Sequence, residues 1–362
     1  MLLPHTGRLK KMYLTKITYE NYRNIEHAEL CPDGIVNVFQ GFNAQGKTNL
    51  LEGIYYFACG KSFRGATDKE LVRLGQECGS LKLEFSDGQR SRCHEVRFFA
   101  NEKKVCLKEG IKISRMSDFI GVFRAVLFSP EHLSIIKDGP SERRAFLDIA
   151  ISQLYPAYMA SLTKYKKLLT QRNALLKEPS TVGFYDLMSV ISMQMAKEAA
   201  FISAHRDRYV TKLSKEVGAL ISDMTAGKEN ARLVYSKPLG EEEYSRLLTD
   251  NLDKEIMAKT TLYGVQKDDI EVTLNGLDSR VYASQGQQRS IALAMKIAEG
   301  EISKSVSGEY PVFLFDDILS ELDVKRKDFI LSGLKDKQVI ITCCEDIPKG
   351  KIFTVSNGEV TL

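Results

Sequence analysis

No apolar run in this sequence approaches the length needed to cross a bilayer, and residues 1–30 hold no signal-peptide core. A cytoplasmic protein without a membrane partner is therefore expected. Histidine is scarce, with five dispersed residues, and the seven cysteines stand apart except for Cys343-Cys344. Neither type has metal-ligand spacing, so a His/Cys metal centre is not expected, and the thiols are read as reduced. No charge of one sign dominates. The net charge of +4 permits a polyanion partner without demonstrating one. Repeats and low-complexity tracts are missing, and so is an Asn-Lys-x-Asp guanine motif. That last absence favours ATP over GTP at any nucleotide site.

What is present describes a globular α/β protein. A hydrophobic share of 43% is enough for a sizeable core, and 362 residues suggest two domains. Residues 1–11 follow neither the strand nor the helix period and are read as an extension outside the fold. Leu81-Lys-Leu-Glu-Phe85 and Glu95-Val-Arg-Phe-Phe99 alternate as half-buried strands do. From Ser141 the period changes. Leu162, Tyr165, Leu168 and Leu169, then Leu187, Val190, Ile191, Met195 and Ala199, recur at helical spacing. Lys177-Glu-Pro-Ser-Thr-Val-Gly183 breaks this run, because Pro cannot continue a helix and Gly weakens one. An antiparallel helical hairpin is expected, followed by further helix and strand. Near the end, Asn357-Gly358 lies between apolar alternations, a hairpin signal. The reading is a head from residues 12–140 and 262–362, with a helical arm domain, 141–261, inserted between them.

The chemistry concentrates in three places. Gly41-Phe-Asn-Ala-Gln-Gly-Lys-Thr48 has the pattern of a phosphate-binding loop, with a strand before it and a helix after it. Gly41, Phe42, Asn43, Ala44, Gln45, Gly46, Lys47, Thr48 and Asn49 are the candidate nucleotide contacts, Lys47 reaching the terminal phosphates and Thr48 ligating Mg²⁺. Pro311-Val-Phe-Leu-Phe-Asp-Asp317 is a buried strand ending in two carboxylates. Asp316 suits the Mg²⁺ side, and Asp317 suits a base that orients the attacking water. Strands commonly end in Asp, so this second motif takes its weight from the first. Most of the chain separates the two, as in ABC-type ATPases, where a further phosphate-contacting motif precedes the acidic strand. Ser284-Gln-Gly-Gln-Gln288 fits it. Ser284 and Gln287 have capping-box spacing, and Gly286 leaves room for a phosphate near backbone N–H groups.

The set Gly46-Lys-Thr-Asn-Leu-Leu-Glu-Gly-Ile-Tyr55, Gly60-Lys-Ser-Phe-Arg64, Phe128-Ser-Pro-Glu-His-Leu133, Ser141-Glu-Arg-Arg-Ala-Phe-Leu-Asp148, Ser284-Gln-Gly-Gln-Gln288 and Phe315-Asp-Asp-Ile-Leu-Ser-Glu-Leu-Asp323 resembles the RecF family, from about Met12 onward. The resemblance implies an ABC-type ATPase head of mixed sheets with a helical arm, a slow ATPase using ATP and Mg²⁺, and an ATP-dependent homodimer. It also implies binding to duplex DNA and single-strand/duplex junctions, and recombinase loading with the RecO and RecR mediators. By the same resemblance, Ser320–Asp323 crosses the dimer interface and Phe128–Leu133 lies near the γ-phosphate. Three places depart from the family pattern. Ala44 stands where a Gly is frequent, His132 where Asp is usual, and Gln266-Lys267 where His-Arg is usual.

Basic residues suggest how DNA is held. Lys164, Lys166, Lys167 and Arg172 lie on the arm, Lys61 and Arg64 follow the phosphate-loop helix, and Lys325, Arg326 and Lys327 follow Asp323. No aromatic residues interleave with them, so backbone contact is expected over base readout. Two alternatives share the phosphate loop and acidic strand. One is the ATPase subunit of a membrane transporter, which the arm and the absent switch histidine near Thr342 and Cys343 disfavour. The other is an ATP-gated nuclease, which would need a further acidic cluster.

Overall fold

Leu81, Leu83 and Phe85 are buried while Lys82 and Glu84 face outward, the period of two that builds the first of two six-stranded sheets in this computed structural model. Residues 12–236, 238–317, 327, 333–334, 337–344 and 350–362 are described. They divide into two compact units, one of residues 12–132 with 296–362 and the other of residues 133–295. The sequence placed these borders at 140 and 262. The extension 1–11, the segment Ser320–Asp323, Lys325 and Arg326 lie outside the described residues.

In the first unit the antiparallel sheet runs Ile25–Leu30, Met12–Tyr22, Cys78–Asp87, Ser91–Phe99, Val105–Lys108, Ile111–Lys112. The second sheet runs Glu359–Thr361, Lys351–Ser356, Val36–Gln40, Val339–Cys343, Val312–Asp316, Ala125–Phe128. It is parallel except for the closing hairpin. Val312–Asp316 and Val339–Cys343 are buried along their whole length, as unbroken apolar runs in parallel sheets are. The Asn-Gly signal makes the hairpin turn, with φ of 50° at Asn357 and 84° at Gly358.

The helix Lys47–Cys59 packs against both sheets. Tyr19 of the first sheet donates its hydroxyl to the Leu50 carbonyl at 2.5 Å. Gly53 makes that approach possible, since a Cβ there would come within 2.5 Å of the Tyr19 ring.

The second unit holds the expected helical hairpin, Pro156–Lys177 and Phe184–Met224, broken at the Pro-Gly segment. It also holds the helices Pro140–Leu154, Glu241–Asp250 and Leu252–Ala258, the start of Gln285–Ser307, and a small sheet of Ala231–Tyr235, Ile270–Leu274 and Leu277–Asp278. On the long helix the inward stripe is Phe184, Met188, Ser192, Met195 and Ala199, whereas Leu187 and Val190 face outward. No described helix is long and apolar enough to cross a membrane.

One core residue is costly. His94 has no solvent exposure, and neither ring nitrogen has a hydrogen-bond partner. Its ring lies 4.9 Å from Phe119 and 5.2 Å from Phe85. Burial, with the charges of Lys108 and Arg92, pushes it from 6.5 down to about 4. The unfolded chain therefore binds a proton near pH 6.5 that the folded one refuses, so this contribution to stability is complete above pH 6.5 and lost as pH falls toward 4. His94→Phe should gain about 2 kcal/mol on wild type between pH 7 and pH 5. Thermal melts at the two pH values check this, and an unchanged difference would mean that the folded ring takes up its proton as readily as the unfolded one.

Candidate active site

The strand order of the parallel sheet decides which groups meet. Val36–Gln40 delivers the phosphate loop, Val312–Asp316 delivers the two carboxylates, and Val339–Cys343 runs between them. In this register Thr342 stands opposite both Phe39 and Asp316. At the carboxyl ends of these strands lies a cleft of about 310 Å³ lined by Asn43, Ala44, Gln45, Gly46, Lys47, Thr48, Asn49, Arg64, Asp317 and Thr342. Such crevices are where open α/β sheets bind ligands.

Two motifs far apart in sequence join here by one contact. Thr48 donates its hydroxyl to Asp316 Oδ1 at 2.9 Å, and Thr342 donates to the same oxygen at 2.9 Å. Thr342 Oγ1 also accepts the Asp317 N–H at 2.9 Å. Asp317 is left-handed, with φ 49°, a backbone state sparsely used outside Gly and common at functional sites. Burial pushes the Asp316 carboxyl above its ordinary value, and Asp317 adds to the rise. The hydroxyls of Thr342 and Thr48 and the charge of Arg64 pull the other way. Thr48 Oγ1 and Asp316 form an oxygen-only pair, which suits Mg²⁺, an ion usually held by one or two protein oxygens together with substrate phosphates and water.

Lys47 is buried and donates to the Gly41 and Phe42 carbonyls at 2.5 and 3.2 Å, with Cys344 Sγ at 3.0 Å. All three are neutral acceptors. A phosphate oxygen is a stronger partner for an ammonium than any of them. Ala44 is left-handed at φ 64°, so the departure from Gly costs about 1 kcal/mol. His132 Nδ1 accepts the Ser129 N–H at 2.9 Å. Gln266 accepts from the Tyr165 hydroxyl and donates to the Tyr263 carbonyl at 3.0 Å.

Ser284, Gly286 and Gln287 stand at the start of the helix Gln285–Ser307, in the second unit. The capping box is closed both ways. Ser284 N–H donates to Gln287 Oε1 at 2.8 Å, and Gln287 N–H to Ser284 Oγ at 3.3 Å. The Gln287 amide also donates to Glu229 at 2.8 Å.

The expected DNA contacts divide. Lys61 and Lys167 are exposed. Lys164 pairs with Glu198 at 2.7 Å and Lys166 lies 3.5 Å from Asp148, both on the surface. Arg64, expected among the DNA contacts, stands on the wall of the cleft and donates to Asn49 Oδ1 at 3.0 Å. Arg172 is a correction. Its side chain is fully buried, paired with the equally buried Glu255 at 2.6 Å and donating to Ser192, Thr261 and the Leu248 carbonyl. No DNA phosphate can reach it. The spacing held the clue, because Arg172 continues the apolar row of Tyr165 and Leu168. Thr342 and Asn24, beside the loop, were not singled out as site residues. Thr342 was findable as the last residue of the apolar run beside the acidic strand.

Comparison with known proteins gives this arrangement a family. No family model matches the chain. The DNA replication and repair protein RecF of Clostridium kluyveri is 39% identical over 362 residues, spanning 97% of this chain and 100% of its own length. That of Clostridium beijerinckii is 38% identical, spanning 96% and 98%. The chain belongs to the RecF family. A solved structure of the recombination mediator protein RecF with ATP, in the RecFOR pathway, superposes with TM-score 0.91 at 34% identity over 99% of both chains. The Smc head domain from Pyrococcus furiosus, at 16% identity and TM-score 0.58, shares the fold. The α/β head of mixed sheets with a helical arm is thus the fold that the RecF and Smc head structures share.

The buried Arg172–Glu255 pair carries a direct test. Arg172→Met should cost about 3–5 kcal/mol in urea unfolding, because it strands a buried carboxylate. Adding Glu255→Met should restore most of that loss, and DNA affinity of the folded double variant should equal wild type. A weaker DNA isotherm with normal stability would return Arg172 to the DNA surface.

Proposed function

We propose that this chain is an ATP-gated DNA clamp. Two copies close head to head around two ATP molecules, each held between the phosphate loop of one copy and the Ser284 helix start of the other. The hydrogen bond between Thr48 and Asp316 carries the reading, since it draws the loop and the acidic strand into one cleft.

In that cleft Lys47 exchanges its neutral acceptors for phosphate oxygens, and the loop N–H groups between Gly41 and Thr48 surround the phosphates. Thr48 and Asp316 would hold Mg²⁺, which neutralises phosphate charge when bound. Asp317 orients the attacking water and accepts its proton, and the position of its backbone is held by Thr342. Arg64 supplies a further positive charge on the cleft wall. Ser284, Gly286 and Gln287 read the partner's nucleotide, so closure depends on ATP and hydrolysis reopens the pair.

The closed pair holds duplex DNA and single-strand/duplex junctions through Lys61, Lys164, Lys166 and Lys167, in the cytoplasm, and passes the site to recombinase with RecR and RecO. Backbone contact makes the binding steep in salt and nearly indifferent to sequence.

Sedimentation with ATP, ADP or no nucleotide, with and without duplex DNA, tests the clamp. ATP alone should give dimers, and Lys47→Ala should give none. Asp317→Asn should bind ATP and dimerise while hydrolysing about a hundredfold more slowly, the size of a lost general base. Mixing Ser284→Arg with Lys47→Ala should recover part of the ATPase activity, because one of the two shared sites is then intact. Recovery of none would show that Ser284 acts only within its own chain.

A further inference from the structure

The phosphate loop is gripped from outside by two segments distant in sequence. Gln45, near its tip, is held at both of its oxygens. The backbone carbonyl accepts from the Asn24 side-chain amide at 3.2 Å and from the Gly358 N–H at 3.0 Å. The side-chain oxygen accepts the Asn357 N–H at 2.6 Å. Asn24 lies in the link between Met12–Tyr22 and Ile25–Leu30, and Asn357-Gly358 is the turn of the closing hairpin. Asn24 also accepts from the Asn49 amide at 2.7 Å, which ties it to the first turn of the loop's helix.

The turn donates twice because both of its residues are left-handed, a state in which successive N–H groups point to one side. Gly358 has no substitute there, since a Cβ would collide with the Asn24 carbonyl oxygen. Gly46 is fitted just as closely. Its φ is 111°, and a Cβ would come within 2.9 Å of the polar atoms of the Asn24 side chain.

A trans peptide carries its C=O and the following N–H on opposite sides. Anchoring the Gln45 carbonyl outward, on Asn24 and Gly358, therefore turns the Gly46 N–H inward, to the cleft that Gly46 and Lys47 line. We propose that Asn24 and the Asn357-Gly358 turn are positioning residues for nucleotide binding, holding the Gln45–Gly46 peptide so that its N–H meets a phosphate oxygen. They act through Gln45 and do not touch the nucleotide. The inference rests on residues 41–48 being the phosphate loop, and it adds a second layer that sets the loop's geometry.

Two variants of the full chain test it, Asn24→Ala and a turn lengthened by one glycine after Gly358. Equilibrium binding of Mg·ATP and of ADP is measured, with kcat, KM and melting temperature. Each variant should weaken both nucleotides about tenfold, the size of one lost hydrogen bond to a charged group, and raise KM to match. At saturating ATP, kcat should stay within about twofold, because the chemistry of the bound state is untouched. The combined variant should fall short of the sum of the two effects, since both act on one peptide. Lys47→Ala separates the layers. If Lys47→Ala binds ATP as wild type does, the phosphate-loop reading fails and takes this inference with it. If Lys47→Ala loses ATP while the other two variants bind normally, the positioning role alone is overturned. Lower melting temperature with unchanged nucleotide affinity also overturns it, as a purely structural contact.

Discussion

Glu52 has no solvent exposure, and it sits on the helix that follows the phosphate loop. Four donors converge on its two oxygens. Arg23 supplies a forked pair, both at 2.9 Å, Tyr22 adds its hydroxyl at 3.1 Å and Ser62 its hydroxyl at 2.5 Å. A buried carboxylate is tolerable only when satisfied in this way, and removing one charged partner from such a pair commonly costs about 3–5 kcal/mol. The pair fixes the helix against the first sheet, while the loop that opens the helix grows from the second. Loop, helix and both sheets therefore hold one geometry. The anchoring of Gln45, the approach of Tyr19 and the seating of Thr48 against Asp316 all presuppose it.

Thr48 and Asp316 touch directly, yet a third strand lies between the acidic strand and the one that delivers the loop. Val339–Cys343 separates the two strands, and its Thr342 is the group that touches both carboxylate residues, accepting from one backbone and donating to the other side chain. ABC transporters place a switch histidine near this point. A threonine hydroxyl can hold Asp316 and Asp317 in place, but it cannot gain a charge near neutral pH. The cleft is thus set by fixed hydrogen bonds and by Arg64 in place of a titrating ring.

What could be read from the sequence was whatever local pattern determines. The loop between Val36–Gln40 and Lys47–Cys59, the apolar strand ending in Asp316, the helix break before Phe184 and the Asn357-Gly358 turn each declare themselves within a dozen residues. What could not be read depends on partners distant along the chain. A basic residue on a helix looks solvated until Glu255 is found beside Arg172, and Arg64 looks like a surface charge until the sheet brings Asp317 and Thr342 to it. Asn24 offered no pattern at all. Its importance comes from a turn far along the sequence that the fold brings beside it. The long helix failed for a smaller reason. Leu187 and Met188 are adjacent apolar residues, so either could begin the inward stripe, and packing chose Met188.

The order of strands also constrains how the protein is made. Val36–Gln40 leaves the ribosome long before its partners Val339–Cys343 and Lys351–Ser356. The helical hairpin emerges between these events and closes over a short stretch of chain. Chain-closure entropy disfavours long-range pairing until the late strands exist. During elongation the nascent chain thus carries the Gly41–Thr48 segment with no Asp316 or Thr342 beside it. The contact between Thr48 and Asp316 forms only after the acidic strand has emerged, so a truncated product can keep the glycine-rich motif and still lack that partner.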